Sequence, residues 1–163
     1  MIIEKFQPHQ AKAVSNLIRR NLLEVNSKDY PSEYITDLVD YFSPAQILEN
    51  AKTQHLFVAV EAGKVVGTSA LANFGSAEKP DYYGVAVFVE PERQGQGLGR
   101  QLMVALETQA VELGAEKLTV RAAIRAERFY EKLGYQYKDG QDILGEKGYY
   151  ILEKVLREKA DRE

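Results

Sequence analysis

One segment of the chain, residues 87–100, limits the possible folds more than any other. A β-branched and aromatic stretch ends at Pro91, and glycines follow at positions 95, 97 and 99 before a strong helical pattern begins. Glycines at alternate positions remove Cβ atoms where a ligand must approach the backbone. The first turn of a helix has unpaired N–H groups and the positive end of the helix dipole. This strand–turn–helix unit therefore predicts a site for a phosphate or pyrophosphate group.

Two common phosphate-binding motifs do not fit this spacing. A P-loop requires Lys-Ser or Lys-Thr after its last glycine, and neither pair follows Gly99. A dinucleotide-binding fingerprint requires a third glycine where Arg100 stands. A nucleotide-binding domain of some other type remains an open interpretation.

Hydrophobic periodicity along the rest of the chain predicts a mixed α/β (α+β) fold. In this chain of 163 residues, we expect one domain over residues 1–156, with a mixed central sheet of about six to seven strands flanked by helices. Residues 157–163 are expected to form a charged C-terminal tail. The strands are predicted at 2–6, 56–60, 65–71, 82–89, 117–121, 135–138 and 149–156. The helices are predicted from Pro8 onward and at 34–42, 44–51, 97–113 and 124–133.

Composition disfavours several classes of function. With 21 Lys and Arg against 24 Asp and Glu, the net charge is −3, whereas nucleic-acid binding requires a basic face. The chain has no cysteine and only two histidines, His9 and His55, so we predict no metal site and no histidine-based triad. No apolar run approaches the roughly 20 residues that span a bilayer, and the first residues lack the pattern of a secretory leader. The expectation is a cytoplasmic protein without a membrane or nucleic-acid partner.

Two segments of the sequence resemble one known family. The spacing Gln94-x-x-Gly97-x-Gly99 is similar to that of the GNAT (GCN5-related) family of acetyl-CoA-dependent N-acetyltransferases. Residues 126–135 resemble the second signature of the family, a helix that carries Phe-Tyr and ends at Leu-Gly-aromatic. The order of the predicted strands and helices follows the family as well.

The resemblance implies a GNAT-like domain with acetyl-CoA as its co-substrate and no metal. The acetyl group would pass directly to a primary amine, of a small molecule or a protein, within a ternary complex. Dimerisation is common in the family, so a homodimer is a further expectation. The competing interpretation is a non-catalytic module that binds acyl-CoA as a sensor.

The resemblance also implies roles for the backbone around the glycine turn. In the family, the preceding strand carries a bulge and separates from its neighbour, and the pantetheine arm enters the gap. The backbones of Phe88 and Val89 would pair with the pantetheine, and the Val89 amide would stabilise the developing oxyanion. Arg93 and Arg100 could add positive charge at the rim. The amides that would hold the pyrophosphate belong to Gln94, Gly95, Gln96, Gly97, Leu98, Gly99 and Arg100.

Tyr130 matches the usual general acid of the family, which protonates the departing thiolate. A phenol with a pKa near 10 is a proton donor at neutral pH. The general base is left open among Asp81, Glu90 and a chain of waters. Two positions depart from the family pattern: Ala123 stands where an asparagine is frequent, and Tyr83 stands where histone-type members have a glutamate.

The resemblance places the acceptor amine near residues 26–42 and the loop 139–149. Tyr30, Tyr34 and Tyr83 are the predicted substrate-binding residues. Carboxylates alternate with aromatic residues in the first of these regions, which suits a cationic amine. A solvated acidic helix face explains the same pattern equally well.

Overall fold

The computed structural model describes residues 1–140 and 148–157. Within these residues the chain forms seven strands and five α-helices. The strands are β1 (Ile2–Lys5), β2 (His55–Glu61), β3 (Lys64–Asn73), β4 (Tyr82–Val89), β5 (Lys117–Ala122), β6 (Gln136–Tyr137) and β7 (Tyr150–Val155). The helices are α1 (Ala11–Glu24), α2 (Ser32–Tyr41), α3 (Pro44–Asn50), α4 (Leu98–Glu112) and α5 (Glu127–Lys132).

The seven strands form one mixed sheet in the order β1-β2-β3-β4-β5-β7-β6. β4 and β5 run parallel, whereas β1 with β2, β5 with β7 and β6 with β7 run antiparallel. The predicted mixed α/β fold with six to seven strands and flanking helices is therefore confirmed. The predicted tail lies outside the described residues beyond position 157, and so do residues 141–147 of the predicted acceptor loop.

The first of two compact units contains residues Met1–Ala70 and Ala86–Leu106. Its β2–β3 hairpin turns at Ala62 and Gly63, whose φ angles of 50° and 78° suit a two-residue hairpin turn. Ser43 caps α3, because its side chain accepts a hydrogen bond from the Gln46 N–H at 3.1 Å. The core of this unit is built by buried side chains of α1, β2 and β3, among them Val14, Ile18, Leu22, Val58 and Val66.

The second unit contains Leu71–Val85 and the described residues from Glu107 onward. β5 pairs with β7 along its whole length, from Lys117 opposite Val155 to Ala122 opposite Tyr150. Leu118, Val120 and Leu152 are fully buried and form the centre of this unit. Thr119, between Leu118 and Val120, is also buried, so this part of β5 is covered on both faces of the sheet.

Several predicted boundaries differ from the observed ones by one to three residues. The helix predicted at 97–113 ends at Glu112, because Gly114 takes a positive φ of 89°, and Leu113 is 42% exposed. The helix predicted from residue 124 starts at Glu127, after a turn closed by the Ala126 N–H on the Ala123 carbonyl at 2.8 Å. Ala126 provides no side-chain cap, so the sequence carried no signal for that start.

Candidate active site

The glycine turn has the backbone conformation that only glycine adopts without strain. Gly95 and Gly97 have φ angles of 81° and 87°, in the left-handed region. A Cβ on either residue would meet no heavy atom within 4 Å, so neighbouring side chains do not impose these glycines. The turn is exposed from Gln94 to Gly97, and α4 begins at the buried Leu98. Their positive φ angles, rather than close packing, therefore account for these glycines.

The amides of this turn are available to a ligand. The first helical hydrogen bond runs from the Gln101 N–H to the Gly97 carbonyl at 3.2 Å. Across residues 1–140 and 148–157, no group accepts a hydrogen bond from the N–H groups of residues 95–100. The amides of residues 98–100 lie in the first turn of α4, at the positive end of its dipole, so the residues present fit a pyrophosphate group.

A network of ion pairs around the buried Glu90 holds the start of the turn. Glu90 is 5% exposed and accepts Lys64 Nζ at 2.7 Å on Oε1 and Arg93 Nε at 3.3 Å on Oε2. Arg93 also pairs with Glu61 through Nη1, and the Glu90 N–H donates to the Val66 carbonyl at 2.9 Å. Glu90, one of the possible bases, thus has both oxygens in ion pairs. Arg93 is likewise held by carboxylates, which leaves the exposed Arg100 as the rim charge predicted there.

A second ion pair ties the turn to α1 at the surface. Arg20 donates from Nη1 and Nη2 to the two oxygens of Glu92, at 2.7 and 2.6 Å, and from Nε to Glu24 at 2.7 Å. The hydrogen bonds from Arg20 lower the pKa of Glu92 to about 2. This bidentate geometry fixes the short 3₁₀ turn Pro91–Arg93 that precedes the glycines.

The strand before the turn departs from regular β geometry at Ala86, as the bulge that the family resemblance implies would require. Ala86, within β4, takes a φ of 51°, which is unusual for a residue other than glycine. Beyond it, the Glu90 N–H binds β3, and the Phe88 carbonyl lies on the Gly67 side, 3.4 Å from a Cβ built there. Because successive N–H groups point to opposite edges of a strand, the Val89 N–H faces away from β3.

Tyr130 is a buried phenol in the second unit. It is 6% exposed, and its ring makes edge contacts with Phe129 at 4.9 Å and Tyr135 at 5.7 Å between centroids. Burial raises the pKa of Tyr130 above its usual value near 10, so the hydroxyl keeps its proton at neutral pH. No hydrogen bond to this hydroxyl occurs among the residues described. The proton is therefore available for donation.

A tyrosine–glutamate–lysine cluster supports the ring of Tyr130. Tyr135 is 2% exposed and donates its hydroxyl to Glu107 Oε2 at 2.7 Å. Lys154 Nζ pairs with Glu107 Oε1 at 3.1 Å and lies 5.7 Å from the Tyr135 ring centroid. The Tyr135 N–H also donates to the Tyr130 carbonyl at 3.1 Å. Neither Glu107 nor Lys154 is predictable from the sequence, since both are ordinary surface residue types whose contact depends on the tertiary fold.

The predicted acceptor residues divide between the two units. Tyr30 and Tyr34, in the first unit, have their ring centroids 5.6 Å apart. Tyr83, in the second unit, packs against Phe74 at 5.1 Å and lies beneath the guanidinium of Arg121, also at 5.1 Å. Arg121 was not singled out in the sequence, where an isolated arginine in a strand gives no signal.

No helix in residues 1–140 and 148–157 is both long and apolar enough to cross a bilayer. In the same residues, no three His, Asp or Glu side chains are grouped as ligands for a metal ion.

The mixed sheet and the glycine turn at the start of α4 are features of the acetyltransferase class, to which the comparison with family models also points. The model of the acetyltransferase (GNAT) domain family matches residues 26–146. This match covers well over half of the chain, which therefore belongs to the GNAT family. No curated protein matched the sequence itself.

Solved structures share this fold at low sequence identity. The PaiA N-acetyltransferase of Thermoplasma acidophilum, in complex with coenzyme A, has a TM-score of 0.77 at 17% identity, covering 95% of this chain and 99% of its own. A GCN5-related N-acetyltransferase from Rhodopseudomonas palustris has a TM-score of 0.78 at 23% identity, covering 94% of each chain. An aminoglycoside 6′-N-acetyltransferase complexed with coenzyme A has a TM-score of 0.72 at 17% identity, covering 98% of this chain and 99% of its own.

Proposed function

We propose that this chain is an N-acetyltransferase that passes the acetyl group of acetyl-CoA directly to a primary amine. The observation that carries the proposal is the row of available N–H donors at residues 95–100, beside two glycines with positive φ. Membership of the GNAT family supports it, as do the similar folds solved with coenzyme A. We place the reaction in the cytoplasm, which suits a chain without cysteine.

Each part of the site has a role in this reaction. The thioester supplies an activated acetyl carbonyl. The amides of residues 95–100 hold the pyrophosphate, with Arg100 at the rim, and the backbones of Phe88 and Val89 pair with the pantetheine. The Val89 N–H, which faces away from β3, donates to the carbonyl oxygen as negative charge develops there.

The transfer makes one bond and breaks one. The amine nitrogen bonds to the acetyl carbon, the C–S bond breaks, and the sulfur leaves with the electron pair. Tyr130 gives its proton to that sulfur, and the nitrogen loses a proton to water or to Asp81. Glu90 is engaged by Lys64 and Arg93, which makes Asp81 or water the better choice of base.

On the acceptor side, we propose that Tyr30, Tyr34 and Tyr83 contact the amine substrate. The contact between Tyr30 and Tyr34 gives paired aromatic faces, and carboxylates at positions 29, 33 and 37 surround them in sequence. Aromatic faces and carboxylates together favour a cationic amine.

The proposal is tested by screening amines with acetyl-CoA and measuring free CoA, alongside direct titration of acetyl-CoA. We expect saturable binding and release of CoA that depends on the amine. Binding without turnover of any amine would instead favour the acyl-CoA sensor, and absence of binding would reject both.

A further inference from the structure

The second unit contains an arginine held by two aromatic rings. Arg121 Cζ lies 5.1 Å from the ring centroid of Tyr83 and 5.2 Å from that of Phe74. The two rings contact each other at 5.1 Å. Tyr83 on β4 pairs with Thr119 on β5, so Tyr83, Thr119 and Arg121 lie on one face of the sheet. The backbone and both rings thus restrict where the guanidinium can be.

Both rings lie on one side of the guanidinium, because Arg121 Cζ and the two ring centroids are 5.1 to 5.2 Å from one another. The N–H groups on the other side of the guanidinium are left for a ligand. A planar fork of donors matches the two oxygens of a carboxylate. Arg121 is therefore oriented in advance for a bidentate contact at its edge.

Among the residues that the structure describes, no carboxylate uses that fork. Within residues 1–140 and 148–157, no Asp or Glu forms an ion pair with Arg121. Glu153, which pairs in register with Thr119, is bound to Lys117 at 3.2 Å instead. By contrast, Arg20 and Arg93 are each held by two carboxylates.

The surroundings of Arg121 are open to a ligand. Arg121 is exposed, and Phe74, which begins the loop after β3, is 51% exposed. An exposed aromatic ring beside an uncompensated cation offers both apolar contact and charge. Tyr83, the third member, is one of the residues already proposed to contact the acceptor.

We propose that Arg121, which Phe74 and Tyr83 contact from one side, binds a carboxylate group of the acceptor. This inference rests on the proposed function, and it narrows the substrate class to amines that also carry a carboxylate, such as amino acids or a peptide terminus. Arg121 is then a specificity-determining residue that takes no part in proton transfer.

The experiment compares acceptor pairs that differ by one carboxylate, for example L-lysine with cadaverine and L-phenylalanine with phenethylamine. For the wild type, we expect the carboxylate-bearing member to have the higher kcat/KM. Arg121→Gln should lower kcat/KM for that member by about tenfold or more, mainly through KM, because a hydrogen-bonded charge pair is lost. For the acceptor without the carboxylate, Arg121→Gln should change kcat/KM by less than about twofold. Arg121→Lys, which keeps the charge without the planar fork, should be intermediate.

The matched control is Lys12→Gln, which removes one positive charge from an exposed position on α1 and should leave both members unchanged. Equal losses for both members of a pair in Arg121→Gln, or no loss, would overturn the inference. If the wild type binds acetyl-CoA but acetylates no amine, the proposed function fails by itself. In that case, calorimetry with the N-acetyl amino acid and its decarboxylated counterpart decides the inference. The inference is supported if heat of binding is seen only for the ligand with the carboxylate and is lost in Arg121→Gln. It is rejected if both ligands, and both the wild type and the variant, give the same heat.

Discussion

At the scale of single residues, the buried phenol of Tyr130 contributes most to the proposed chemistry. Its burial keeps the proton on the hydroxyl, and its ring is fixed by Phe129 and Tyr135. We expect Tyr130→Phe to lower kcat by about 10²-fold or more, the usual range for loss of a general acid. The affinity for acetyl-CoA should stay within about twofold, because the turn that binds the pyrophosphate is unchanged. Single-turnover kinetics and calorimetry check the two parts, and an unchanged kcat would remove Tyr130 from the mechanism.

Tyr135 is expected to matter for stability. Tyr135→Phe removes a hydrogen bond to the charged Glu107, which predicts a loss of about 1.5–3 kcal/mol in the free energy of unfolding at pH 7. Tyr137→Phe is the control, since its hydroxyl also binds a glutamate, Glu127 at 2.6 Å, but from a less buried position. Urea denaturation should show a clearly smaller loss for the control. Equal losses would contradict the importance of the buried cluster.

The raised pKa of Tyr135 also predicts that the free energy of unfolding depends on pH. Burial and the hydrogen bond to Glu107 raise the pKa of Tyr135 above its unfolded value of about 10. The protonated phenol therefore contributes fully to stability below about pH 10, and this contribution is lost as the pH rises through the folded pKa. In urea titrations from pH 8 to 11, the wild type should lose its advantage over Tyr135→Phe only above about pH 10.

At the scale of elements, the role of the glycine turn can be tested against a matched glycine elsewhere in the chain. Gly97→Ala places a side chain at a φ of 87°, which costs about 1–2 kcal/mol of stability. We also expect the Kd for acetyl-CoA to rise about tenfold or more, since the turn must change shape. Gly63→Ala is the matched control, because Gly63 has a φ of 78° and equally open space but lies in the β2–β3 hairpin. Gly63→Ala should lose a similar amount of stability and keep its affinity for acetyl-CoA. A loss of affinity equal to that of Gly97→Ala would contradict the assignment of the glycine turn to pyrophosphate binding.

The ion pairs before the turn give a second prediction at this scale. Glu90→Gln removes the charge that Lys64 and Arg93 share, and its burial predicts a loss of about 1–3 kcal/mol in the free energy of unfolding. KM for acetyl-CoA should rise with kcat nearly unchanged, as expected of a residue that positions the turn. Glu92→Gln breaks an exposed pair and should have a much smaller effect on stability. A large fall in kcat with unchanged KM would indicate that Glu90 acts in the chemistry.

The sequence predicted those elements whose signals are local. Periodicity located all seven strands, and Ser43-Pro44 located the start of α3. The start of α5 and the end of α4 were misplaced by one to three residues, since no capping side chain marks the first and periodicity ran past the second. The irregular backbone at Ala86 was expected only through the family resemblance, because alanine itself gives no signal for a positive φ.

At the scale of the whole molecule, the sheet order and the cooperating side chains were beyond local reasoning. β7 pairs with β5 on one side and β6 on the other, which no periodicity encodes. The cluster of Tyr135, Glu107 and Lys154 joins residues up to 47 positions apart. The backbone part of the candidate site was predictable because glycine spacing records it directly. The side chains that support the candidate site could not be predicted, because the sequence does not distinguish them from other charged surface residues.

The central claim is that the amides of residues 95–100 hold the pyrophosphate of acetyl-CoA. Calorimetric titration with acetyl-CoA, and with acetyl-pantetheine, which lacks the pyrophosphate, tests it most directly. The claim predicts saturable 1:1 binding of acetyl-CoA with a Kd below about 1 mM, and affinity for acetyl-pantetheine at least about tenfold weaker. Equal affinity for the two compounds, or no heat from acetyl-CoA at millimolar concentration, would contradict it.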